Sequence, residues 1–161
     1  MTEPKIKNLE GKKLIGKKLT MSLANNRTVD LWKSFMPHKK EIKNTISSDL
    51  FSVQVYDSSL DFSTFSPTTT FQKWAAVEVS AFDQIPENME TLVLPSGLYA
   101  VFLYQGDPRE FAPAFRFIFG EWIPNSDYEL DNRPHFEIMG EKYKNDSADS
   151  EEELWIPIRK K

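Results

Sequence analysis

The chain predicts an α+β fold: two βαββ units in a pseudo-twofold arrangement, with an antiparallel sheet and two main helices. Three observations carry this. Short runs of aliphatic and aromatic residues recur along the chain, separated by Gly, Pro and Asn. Two stretches have apolar residues at helical spacing instead. The order strand, helix, strand, strand occurs twice, in residues 11–80 and 81–161, without residue-level identity between the halves. The length of 161 residues suits a single domain over 11–161, preceded by a polar, flexible tail at 1–10.

In the first half, residues 12–23 alternate weakly, with Leu14, Leu19, Met21 and Leu23 inward, and predict a strand interrupted near Gly16. Asn25 and Asn26 supply a turn and a helix cap, because an Asn side chain accepts from free first-turn N–H groups. A helix over 27–35 follows, with Leu31, Trp32, Phe35 and Met36 on one side. Pro37 removes a backbone donor and ends or kinks it, and 38–41 is a solvated continuation. Residues 50–56 form a second strand, with Leu50, Ser52 and Gln54 on one face and Phe51, Val53 and Val55 on the other. The loop 57–69 is polar, although Phe62 and Phe65 can pin it to the body. Residues 71–79 form a third strand, with Trp74, Ala76 and Glu78 on one face and Lys73, Ala75, Val77 and Val79 on the other.

In the second half, residues 83–90 turn, 91–94 lead in, and Pro95-Ser96-Gly97 breaks the run. Residues 98–104 are apolar on both faces and belong near the middle of a sheet. Asp107 caps a helix with Pro108 at its first position, and Phe111, Phe115, Ile118, Phe119 and Trp122 recur at helical spacing. Residues 133–139 and 154–158 are strands, separated by an acidic, mobile loop at 141–153.

The aromatic load is high, with 12 Phe, 5 Tyr and 4 Trp, which fits either a well-filled core or a ring-lined pocket. The net charge of −4, spread along the chain, argues against a nucleic-acid binder, which needs a basic face. Without Cys there are no disulfides and no thiol chemistry. No apolar run is long enough to span a bilayer, and the first residues lack a signal-peptide core, so a cytoplasmic protein is expected. His38 and His135 lie on separate elements without ligand-like spacing, so no metal site is expected. Gly is never clustered and no Ser sits in a nucleophile-elbow context, so no cofactor and no serine hydrolase are expected.

Glu137 is the notable polar residue: a single carboxylate on a strand of large apolar residues. It is either a surface or salt-bridged carboxylate, paired with Arg133 or Arg159, or the polar anchor of a pocket. Tyr56, Trp74, Tyr104, Phe111, Phe115 and Trp155 are candidate pocket walls, because they lie on strands or on the inward helix face; each can equally be plain core. Met36 and Met139 can add compliance. Glu78, a second strand carboxylate, is an edge residue unless it faces the pocket.

Four segments resemble a known family in order and spacing. They are Leu94-Pro95-Ser96-Gly97-Leu98-Tyr99-Ala100-Val101-Phe102, Glu121-Trp122-Ile123-Pro124-Asn125-Ser126-Asp127-Tyr128-Glu129-Leu130, Arg133-Pro134-His135-Phe136-Glu137 and Leu154-Trp155-Ile156-Pro157-Ile158. The chain is similar to the GyrI-like small-molecule-binding domain, the effector-binding domain of AraC-type and MerR-type transcription regulators. The resemblance implies two βαββ units around a central aromatic pocket, with Glu137 at the position of the glutamate that binds cationic, aromatic drugs. It covers the second half well and the first by pattern. The chain has no helix-turn-helix segment, so a stand-alone binding protein without direct nucleic-acid contact is expected. Two alternatives come with the family: a hydrolase of small electrophiles, in which Glu137 activates water and Tyr104 donates to the leaving group, and a protein that modulates DNA gyrase. If Glu137 is a cation anchor, binding weakens on acidification as the carboxylate is protonated.

Overall fold

The computed structural model describes residues 3–144 and 147–161. Its strands in chain order are β1 (Lys5–Leu9), β2 (Lys12–Met21), β3 (Leu50–Val55), β4 (Phe71–Val79), β5 (Glu90–Leu94), β6 (Gly97–Gln105), β7 (Tyr128–Leu130), β8 (His135–Met139) and β9 (Glu151–Lys160). Among the described residues they form one antiparallel sheet in the order β1-β6-β9-β8-β3-β4-β2-β5, with β7 added on the far part of β9. The fold is α+β, as the repeated element order predicts.

The strand order reads the same way from either end. In each half the first strand of the βαββ unit lies outermost, the last lies next, and the middle one meets its counterpart at the seam, where β3 pairs with β8. The edges are exchanged. β1 precedes β2 but pairs with β6, and β5 precedes β6 but pairs with β2. Residues 5–9, expected in a flexible tail, are therefore an edge strand: backbone pairing orders them although only Leu9 is buried.

The helices cover the outer strands of one face. Helix α1 (Thr28–Phe35) begins after Asn26, whose Oδ1 accepts from the Thr28 N–H at 3.0 Å. It buries Leu31 and Phe35 against Ile15, Ala75, Val77 and Val79. Pro37 does not break it outright; the chain tightens into a 3-10 stretch, Met36–Glu41. Helix α2 (Ala112–Phe117) follows a short 3-10 turn, Pro108–Glu110, in which Asp107 Oδ1 accepts from the Arg109 N–H at 2.9 Å. It continues through a π-helical turn, Ile118–Trp122, into Ile123–Asn125. Pro124 has no N–H to give and its ring crowds the preceding turn, and the wider π turn accommodates both. Ala114, Ile118 and Ile123 pack on Ala100, Phe102, Leu154 and Ile156.

The opposite face of the sheet holds its own core of Leu14, Val53, Trp74, Tyr99, Phe136 and Trp155, with Phe136 and Trp155 stacked at 5.2 Å between ring centroids. Two other expectations change. β2 runs unbroken through Gly16, because a side chain there would meet the Ala75 carbonyl oxygen at 2.0 Å and only glycine permits that approach to β4. β9 starts at Glu151, so the last residues of the expected acidic loop are strand, held by the pairing of 151–153 with 105–103. Among the described residues no helix is long and apolar enough to cross a membrane.

Candidate functional site

Because α1 and α2 sit over the outer strands, the two seam strands are left uncovered on that face. The result is a cavity of about 1730 Å³ with β3 and β8 as its floor. Side chains of one strand face alternate with those of the other, so the pairing fixes what the floor carries. Gln54 faces Lys73 on one side and His135 on the other. Ser52 faces Ala75 and Glu137. Glu137 in turn faces Leu154, two residues along β9 from Glu152. Lys73, Ser52, Gln54, His135, Glu137 and Glu152 all line the cavity, so its floor is the polar face of an otherwise apolar sheet.

Glu137 is half-buried, and both of its carboxylate oxygens accept from Gln54 Nε2, at 3.3 and 3.1 Å. Neither expected arginine pairs with it. Arg133 Nε donates to Asp131 at 2.8 Å and its Nη2 to the Leu98 and Ile158 carbonyls, while Arg159 holds Glu129 at 2.9 Å. Two other ionisable residues share the floor with Glu137, and both are deeply buried. Lys73 is 8 % exposed, and burial moves its ammonium below the usual lysine range, against the upward pull of Glu137 and Glu152. Glu152 is 5 % exposed; burial, reinforced by the charge of Glu137 and opposed by Lys73, pushes its carboxyl up to about 8. Its Oε1 is buried with no hydrogen-bond partner among the described residues. A neutral acid tolerates such a position far better than a carboxylate.

Aromatic rings form the walls. Tyr56 stands edge-on to Phe62 and to His135, each at 5.0 Å, and lies 5.3 Å from Phe71. Phe62 and Phe65 reach the cavity from the loop that they pin. From α2, its N-cap and its extension come Phe115, Phe111 and Phe119, and from α1 and the 3-10 stretch after it come Trp32 and Met36. His135 lies among these rings, stacked at 6.2 Å with Phe119; its Nε2 has no partner among the described residues. Burial first, and then the Arg133 charge, lower it to about 3, so it is a neutral imidazole. Burial and then the charge of Glu137 hold the Tyr56 hydroxyl protonated, well above the usual phenol range.

The structure brings together Glu137, Tyr56, Phe111 and Phe115 of the residues singled out in the sequence. It places the other three elsewhere. Trp74 and Trp155 belong to the core on the opposite face, because their positions in β4 and β9 have the wrong parity for the cavity. Tyr104 lies behind Phe111, at 4.6 Å between rings, and its hydroxyl donates to the Asp107 and Glu110 carbonyls at 2.7 and 3.2 Å. Glu78 is on the opposite face to Lys73 and pairs with Lys12 at 3.2 Å. Lys73, Gln54, His135 and Glu152 are floor residues that the sequence does not single out. The alternating polar positions of β3 were the signal for Gln54, whereas the run of acids hid Glu152. Among the described residues no group of His, Asp and Glu could hold a metal ion.

A family model described as Cass2, integron-associated effector binding protein, matches residues 5–158. A protein of Erwinia billingiae named DNA gyrase inhibitor is 32 % identical over 83 residues, which are 48 % of this chain and 51 % of that one. The match thus spans about half the length of that curated relative. Two solved structures share the fold at low identity. SAV2435 bound to tetraphenylphosphonium has a TM-score of 0.69 at 17 % identity, covering 98 % of this chain and 94 % of that one. An integron cassette protein from the mobile metagenome of Vibrio cholerae has a TM-score of 0.71 at 16 % identity, covering 98 % and 96 %.

Proposed function

The chain belongs to the family of integron-associated effector binding proteins, which is GyrI-like, and from that premise we propose that its cavity binds small aromatic cations with Glu137 as the anchor. The observation that carries the reading is the position of Glu137: a half-buried carboxylate on a seam strand, with the Gln54 amide beside it and aromatic walls above. A cation arriving there gains a charge pair in a poorly solvated place. Each ring face it meets adds about 0.5–2 kcal/mol. Rings accept varied outlines, so the range of ligands is broad. The tetraphenylphosphonium bound by SAV2435 is a molecule of this class and supports the choice of probe.

The test is a fluorescence titration with tetraphenylphosphonium. Glu137→Gln should weaken binding by about tenfold or more, equivalent to about 1.4 kcal/mol or more. Equal affinity in wild type and variant would remove Glu137 as the anchor. The hydrolase reading loses its chosen proton donor, because the Tyr104 hydroxyl is directed at backbone carbonyls.

A further inference from the structure

Lys73 has no part in holding a cation, yet it stands on the floor of the same cavity, 8 % exposed. Lysine is rarely buried so deeply unless it is paired. None of the ion pairs among the described residues includes it. It sits on β4, Glu137 sits on β8, and β3 runs between them. Lys73 is level with Gln54 and Glu137 is level with Ser52. Two strand spacings and a two-residue offset set their Cα atoms roughly 12 Å apart. Gln54, on the strand between them, gives its amide to Glu137.

We propose that Lys73 is a second anchor and that the preferred ligands are amphoteric aromatics, with a protonated amine at Glu137 and a carboxylate at Lys73. This rests on the cation-binding reading and narrows it. A buried ammonium with no ion-pair partner, only the pull of Glu137 and Glu152 across the floor, costs free energy, and a ligand carboxylate that pairs with it recovers that cost. The lowering of Lys73 by burial is the same cost seen from the proton's side. Glu152 is not an equivalent partner, since it lies on β9, three strands from β4, and is held as a neutral acid at neutral pH. A plain cation meets Glu137 alone and leaves Lys73 unmatched.

The experiment titrates wild type, Lys73→Met and Glu137→Gln with three probes at neutral pH: norfloxacin, which carries both a protonated amine and a carboxylate; its methyl ester, which keeps only the amine charge; and tetraphenylphosphonium. Wild type should bind the acid about tenfold more tightly than the ester. Lys73→Met should abolish that preference by bringing the affinity for the acid down to that for the ester. Equal binding of acid and ester by wild type overturns the proposal, and so does a preference that survives in Lys73→Met. Should Lys73→Met fail to fold, the wild-type ratio of acid to ester decides by itself. Tetraphenylphosphonium binding that depends on Glu137, without any acid preference, sinks only the Lys73 anchor. Failure of all three probes to bind wild type sinks the cavity reading as well.

Discussion

Burial moves His135 and Glu152 in ways that oppose each other in stability. His135 falls from about 6.5 to about 3, so the folded protein binds fewer protons there than the unfolded chain. Its contribution is fully present above 6.5 and is lost as pH falls through 3. Glu152 rises from 4.5 to about 8, so its contribution is present below 4.5 and is lost as pH rises through 8. Between 4.5 and 6.5 the two slopes cancel, proton for proton. Urea denaturation should therefore show Glu152→Gln gaining on wild type from pH 4.5 to 8, by at most about 1.4 kcal/mol per pH unit. His135→Gln should gain on wild type from pH 6.5 down to 3. Parallel curves would show that neither group is desolvated as its burial implies. At this scale the sequence was half-legible. Alternation along β4 separates its two faces, but it does not say which of them stays open, and the aromatic one is closed. Trp74 is large and apolar and so belongs to a closed core, whereas Lys73, the lone charge in its set, marked the open side.

Among the elements, the strands were legible because their alternation is strong, and the helices because Phe111, Phe115, Ile118 and Phe119 repeat at the right interval. The extent of β2 was not, since Gly16 reads as a break when seen alone. Its meaning depends on β4, which is distant in sequence. Gly16→Ala should destabilise by about 1–3 kcal/mol or more, because its Cβ would press on backbone atoms of Ala75 and Ala76 that cannot step aside. Thermal denaturation checks this, and an unchanged midpoint would show that β2 can move away. The π turn in the second helix was likewise hidden. Helical spacing alone does not reveal a widened turn, although Pro124 announces that some adjustment must precede it.

For the molecule as a whole, the sequence showed two similar halves but not how they are tied together. Edge exchange leaves no local trace. β1 looks like a polar tail because four of its five side chains are exposed, and only the unpaired edge of β6 gives it a place. Removing residues 3–9 should uncover that edge and the core around Leu9, at a cost on the order of 2 kcal/mol, and should promote self-association. Calorimetry and light scattering would register both. Unaltered stability would make β1 an ornament of the sheet.

Each half carries the border strand that completes the other. A cut in the turn between Val79 and Glu90 would yield two fragments, each finishing its partner and neither finishing itself. That is the layout of a split reporter, and the floor between β3 and β8 would be rebuilt only when the two pieces meet.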